Sequence, residues 1–205
     1  EFKEMVKRAA EGVDADIDSL EVGKTEVEEE GGAKLAGNIG DPAVRNRGTI
    51  GGSIANNDPA ADYPAAVIAL GATVITNKRE IAGDDFFKGM FETALEDDEI
   101  ITAVKFPRAE TAAYMKFENP ASRYAIAGVF LVKSENGGRV GVTGATSCAH
   151  RGLRLEEALN SDFSPNSIDG VELPLEEMNS DIHASSEYRA HLVKVMTKRA
   201  VEACS

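Results

Sequence analysis

The sequence is poor in the residues that build metal and disulfide sites: two cysteines and three histidines among 205 residues. Cys148 and Cys204 stand too far apart for a metal knuckle or a disulfide framework. His150, His183 and His191 have no zinc-type spacing. Cys148 falls in a small apolar run, residues 142–149, and reads as a buried thiol. No stretch approaches the roughly 18 uninterrupted apolar residues that cross a bilayer, and residues 1–8 are charged with no apolar signal behind them. A soluble, cytoplasmic protein without a membrane-spanning segment is expected. Positive charge is scarce as well, with 22 basic against 35 acidic residues and a net charge of −13. Such a surface repels nucleic acid and anionic lipid. The densest basic group, Lys194, Lys198 and Arg199, reads as the solvated face of a helix. Asp16, Asp18 and Glu21 lack the loop glycine and closing glutamate of a calcium loop. Two phosphate signatures are missing too. There is no GxxxxGK[ST], and Gly48, Gly51 and Gly52 have the wrong spacing for GxGxxG.

What is present is an α+β pattern. Residues 2–10 suit a short helix, and 14–30 an acidic strand, turn or linker. Residues 33–39 suit a helix ended by Gly40, and 64–70 an apolar helix stopped by Gly71. Strand-like runs follow at 72–76, at 100–106 ending before Pro107, at 112–117 and at 124–133. The turn at 136–138 feeds a further strand, 139–145. Residues 86–91 read as a short helix or loop, 154–159 as helix, and 163–175 as loop. The last helix, 185–203, is capped by Ser185 or Ser186. A polar turn at 120–123 suggests a boundary between residues 1–120 and residues 121–205.

The most unusual stretch is RNRGTIGGSIANNDPAADYP, residues 45–64. Adjacent glycines remove Cβ atoms where a bulky ligand touches the chain, and they permit positive φ angles that converge N–H groups on an anion. Thr49 and Ser53 add hydroxyl donors, while Asn56, Asn57, Asp58 and Asp62 offer acceptors to ribose hydroxyls. The arrangement suits a pyrophosphate with nucleoside-like ends; the plain alternative is a tight turn in an ordinary loop.

That stretch closely resembles the second flavin-contacting segment of the FAD-binding medium subunit of molybdenum hydroxylases, of the aerobic carbon monoxide dehydrogenase type. REIAGDDFFKGMFETALEDDEIITAVKFP at 79–107, KFENPASRYAIAGV at 116–129 and SSEYRAHLVKVMTKRA at 185–200 resemble the same family in the same order. The resemblance covers roughly residues 34–204. It implies part of a PCMH-type FAD-binding domain at residues 1–120, with 1–33 atypical. A small C-terminal domain with a three-stranded antiparallel sheet and helices is implied at 121–205. Arg47, Gly48, Thr49, Ile50, Gly51, Gly52 and Ser53 are implied along the FAD pyrophosphate and ribityl chain, with Asn57 close by and Asp62 toward the adenosine. Ile100 or Ile101 is implied beside the isoalloxazine, Lys116 at its edge, and Tyr124 near the hinge with Arg123. The partners implied are a large molybdopterin-binding subunit and a small 2Fe–2S subunit. Electrons would pass from the iron–sulfur clusters through FAD to an external acceptor such as a quinone.

One departure stands out. The family's earlier flavin loop, an Ala-Gly-Gly followed by a small polar residue and a leucine, has no convincing counterpart. Gly31-Gly32-Ala33 follows three glutamates and lies too near the second loop. The start of the chain therefore looks truncated or altered, and weak or absent FAD affinity is expected of the isolated chain. A non-catalytic assembly domain that keeps the fold without flavin is the second reading the sequence leaves open.

Overall fold

The computed structural model describes residues 35–205 apart from Asn136. The expectations for residues 2–10, 14–30 and 31–33, and for Asn136 itself, lie outside the described residues. The architecture is mixed α+β, with several small antiparallel sheets.

Helix α1 (Pro42–Arg47) and helix α2 (Ile50–Asn56) come first. Helix α3 (Tyr63–Ala69) follows, with Pro64 in its first turn, where a missing N–H costs nothing. Its end at Leu70 is sealed by Gly71 at φ +61°, a left-handed position that glycine adopts without penalty. Strands β1 (Thr73–Thr76), β2 (Glu80–Ala82) and β5 (Ile101–Lys105) form an antiparallel sheet in the order β2-β1-β5. Between them lie helix α4 (Gly83–Phe86) and a hairpin of β3 (Phe87–Gly89) with β4 (Glu92–Thr93). The stretch expected as a short helix or loop at 86–91 is therefore mostly hairpin.

The second sheet runs β6-β7-β8-β9: β6 (Thr111–Glu118), β7 (Ala125–Ser134), β8 (Gly137–Thr143) and β9 (His150–Arg151). A three-stranded sheet was expected within residues 121–205; the sheet has four strands, the last of only two residues, and its first strand, β6, precedes that range. Because β6 pairs with β7 along its whole length, the polar turn at 119–124 is a hairpin connection, and residue 120 lies inside it. The change of sheet falls at 106–110 instead. Helix α5 (Leu153–Ser161) and the long helix α6 (Ser186–Ala203) cover this sheet. Ser185 caps α6, its side chain accepting from the Tyr188 N–H. Short 3-10 turns at Pro165–Ile168 and Leu175–Glu177 order the segment expected as loop.

Helix α3 is the central spacer. Ala65, Ala66 and Ala69 pack with Tyr114 and Phe130 of the larger sheet. Val67 and Ile68 join Val74, Ile81 and Phe86 under the smaller one. Its alanines allow a very close approach to β8: a Cβ at Gly141 would overlap the Ala65 carbonyl. The largest core lies between the larger sheet and α6, where Leu131, Val140, Leu155, Val193, Met196 and Val201 are buried.

Candidate functional site

The glycine-rich stretch is helical where the sequence suggested a bend. Thr49 is the N-cap of α2, and its Oγ1 accepts from the Gly52 N–H at 3.0 Å. Neither Gly51 nor Gly52 has positive φ. The expected nest of left-handed glycines is replaced by the first turn of a capped helix, because a threonine in extended conformation stands just ahead of the glycines.

The three glycines differ in why they are glycine. A Cβ at Gly48 would lie 2.6 Å from the Val44 carbonyl oxygen, so α1 itself demands glycine there. At Gly52 a Cβ would meet only the Thr49 Oγ1, at 3.1 Å. At Gly51 it would meet only the Ile101 Cγ2, at 3.9 Å, an ordinary contact. The packing of the described residues does not require glycine at 51, although glycine costs up to about 1 kcal/mol relative to alanine inside a helix. The missing side chain leaves a backbone surface open to close approach.

The other expected site residues fall into separate groups. Ile50 and Ile101 are half-buried in the core beneath the smaller sheet, which brings Ile101 beside Gly51. Ile100 stays exposed, with its N–H bonded to Asn77 Oδ1 at 2.9 Å. Ser53 is half-buried, and its carbonyl accepts from the Asn57 N–H at 3.2 Å. Arg47 is exposed on α1, and Tyr124 is exposed at the end of the β6–β7 hairpin. Among the described residues, neither lies within 4 Å of a Cβ placed at Gly51.

Asn57 is fully buried and left-handed (φ 45°), ending α2. Its side-chain amide donates to Gly89 O and Glu92 O, both at 2.7 Å, and its carbonyl accepts from the Phe91 N–H at 3.1 Å. The expected ribose acceptor therefore clamps the β3–β4 hairpin to the end of the glycine helix. Its Oδ1 is buried without a partner among the described residues.

Asp62 and Lys116, expected at opposite ends of a ligand, meet each other. Lys116 Nζ lies 3.2 Å from Asp62 Oδ1, with both side chains about 95% enclosed (4% and 5% exposed). The Tyr114 hydroxyl donates to Asp62, and Lys116 also donates to the Asn38 carbonyl. Burial pushes the Asp62 carboxyl above its usual range, against the opposing pull of Lys116 and Tyr114. Burial likewise pushes the Tyr114 phenol well up. The charge assigned to a flavin edge is thus compensated within the chain, because Tyr114 and Lys116 of β6 both reach Asp62 at the start of α3. Composition carries no sign of that pairing, since 54 residues separate the partners.

Sequence reasoning passed over Glu99. Its side chain is enclosed, and it accepts from Thr76 Oγ1 (2.7 Å), Arg79 Nε (2.9 Å), Arg79 Nη2 (3.0 Å) and the Glu96 N–H (3.0 Å). The Arg79, Thr76 and Glu96 donors hold its pKa down at about 2. The signal was a lone glutamate ahead of Ile100–Ile101 in an acidic turn, indistinguishable by composition from its solvated neighbours. Cys148, expected buried, is only partly so.

The chain belongs to the FAD binding domain family of molybdopterin dehydrogenases, whose model matches residues 4–109. That match begins well upstream of residue 34, where the resemblance was expected to start. The chain is 36% identical over 177 residues to the nicotine 6-hydroxylase medium subunit of Paenarthrobacter nicotinovorans, covering 80% of this chain and 62% of that protein. It is 34% identical over 180 residues to the carbon monoxide dehydrogenase medium chain of Afipia carboxidovorans, with the same two coverages of 80% and 62%. The structure superposes on the reconstituted CO dehydrogenase from Oligotropha carboxidovorans with a TM-score of 0.75 at 28% identity, over 88% of this chain and 70% of that one. The chain spans about 62% of the length of the curated relatives named here. No helix among the described residues is long and apolar enough to cross a membrane.

Proposed function

We propose that the chain is the FAD-holding, electron-transferring part of a cytoplasmic molybdenum hydroxylase complex of the CO dehydrogenase type, working beside a large molybdopterin-binding subunit and a small 2Fe–2S subunit. In this reading a PCMH-type flavin unit ends where the sheets change, and the larger sheet with α5 and α6 forms the C-terminal domain. When bound, FAD supplies the electron storage that links iron–sulfur clusters on a partner to an external acceptor. The chain's own residues bind and orient. Thr49 fixes the start of α2, Gly51 and Gly52 let the backbone approach a diphosphate, and Ile100 and Ile101 give a flat apolar neighbour that excludes water.

The observation that carries this reading is Gly51, a glycine in the first turn of α2 that no atom of the described residues requires, lying beside Ile101 within the family match. A glycine that weakens its own helix, where a methyl would make a single ordinary contact among the described residues, is explained by a ligand that needs the space. The test is Gly51→Ala in the assembled complex. A methyl at 3.9 Å from Ile101 should leave the melting temperature unchanged or raised, by up to about 1 kcal/mol of helix stability. FAD content, read from the visible spectrum, should fall by more than half. A variant with full flavin occupancy sinks the assignment. Gly52→Val is the blunter substitution, because a Cβ there also presses on the Thr49 cap.

A further inference from the structure

We propose that Glu99 is a positioning residue, holding the start of β5 against the glycine face of α2 and so shaping the apolar wall beside the flavin; the proposal rests on the functional reading above. Four donors converge on its carboxylate: one from the end of β1, two from Arg79 in the β1–β2 turn, and one from the turn at 96–99. Arg79 is anchored in turn on the Ala94 carbonyl, at 2.7 Å. The next residue is pinned from both sides, since Asn77 accepts from the Ile100 N–H at 2.9 Å and donates its own N–H to Ile100 O at 3.0 Å. Ile101 then pairs with Thr76, and among the described residues its Cγ2 is the side-chain atom that faces Gly51.

The ladder alone does not set this position. The β1–β5 register shifts between Ile75 and Thr76, directly opposite Ile101. A bulge of that kind disrupts pairing and lets the strand end turn. Where the ladder is irregular, the enclosed carboxylate supplies the missing constraint, with geometry that no neutral side chain reproduces: bidentate to Arg79 while accepting an amide and a hydroxyl. The neighbouring ion pairs of Lys78 with Glu96 and Asp98 are exposed and tie only the outside of the same turn.

The experiment compares Glu99→Gln and Lys78→Ala with the parent in the assembled complex. Each is assayed for FAD dissociation by dialysis, for flavin reduction potential, and for amide exchange across 96–105. Glu99→Gln is expected to raise the FAD dissociation constant about tenfold, to shift the potential, and to speed exchange at Ile100 and Ile101 while β6–β8 keep their protection. Lys78→Ala should match the parent in all three. Parent-like FAD retention and potential in Glu99→Gln, whatever its melting temperature, overturns the positioning role. So does an equal loss in both variants. A parent complex without flavin overturns the underlying functional reading instead, and its spectrum shows this before either variant is made.

Discussion

The two halves of this molecule are stabilised by different means. From α5 and α6 to the larger sheet, long strands and an 18-residue helix close over a continuous apolar core. From α1 to β5, helices of four to seven residues and strands of two to five are joined by enclosed polar side chains: Asn57 on the β3–β4 hairpin, Glu99 on Arg79 and Thr76. Short elements bury too little apolar area to fix their own positions. Directional hydrogen bonds therefore supplement the smaller apolar core of Ile54, Val67, Val74 and Phe86. The half that holds its shape by packing is the scaffold, and the half that holds it by clamps carries the candidate site.

The largest effect should come from breaking the packed half. Leu131 is fully buried in the central strand β7, facing Ala113 on one side and Val140 on the other. Leu131→Ala should cost about 3–4 kcal/mol by lost transfer energy and the cavity left behind. Chemical denaturation measures it. A loss below about 1 kcal/mol would mean that this core can collapse around the gap, and the contrast between the halves would weaken.

That contrast also decides what was legible beforehand. The strand at 124–133 and the helix at 185–203 were readable because a long periodic pattern is its own evidence; their observed bounds are Ala125–Ser134 and Ser186–Ala203. The glycine stretch stood out in the sequence as unusual, but its conformation was not readable. Gly-Gly suggested a left-handed turn, and one threonine hydroxyl capped it into a helix. Pairings such as Asp62 with Lys116, or Glu99 with Thr76 and Arg79, join residues 20 to 54 positions apart. They depend on which elements stack, which residue types alone do not encode. For that reason Asn57, Asp62 and Lys116 were expected to face a ligand and were found facing the protein.

Two enclosed carboxylates sharpen the comparison, because they titrate in opposite directions. Glu99 is held at about 2 against a usual 4.5, so its ionisation stabilises the fold. That contribution is present above the unfolded value and is lost as pH falls through about 2. Asp62 is raised above 3.8, burial outweighing Lys116. The native state therefore holds its proton longer than the unfolded chain, and stability from this group falls as pH rises from 3.8 through the raised value. Asp62→Asn keeps an acceptor for Tyr114 and removes that loss. Its melting temperature at pH 7 should be no lower than the parent's, with the difference vanishing toward pH 3, despite the loss of a buried ion pair. A clear drop at pH 7 would show that the pair with Lys116 stabilises the seam after all.

The smallest effect tests the clamp at the site's edge. Phe91 sits at φ +57° on the hairpin tip, 59% exposed, beside the exposed Met90. A non-glycine residue in this region is strained by roughly 1 kcal/mol. Little packing offsets the strain, and the Asn57 amide and carbonyl hold the conformation. Phe91→Gly relieves it but gives the unfolded chain more freedom. The net gain should be about 0.5 kcal/mol, or roughly 1–2 °C in melting temperature for a chain of this size. A stabilised variant places the hairpin among the elements held by polar bonds. A destabilised one would mean that the Phe91 ring is packed on its own surface, and the tip would then belong with the half that packs.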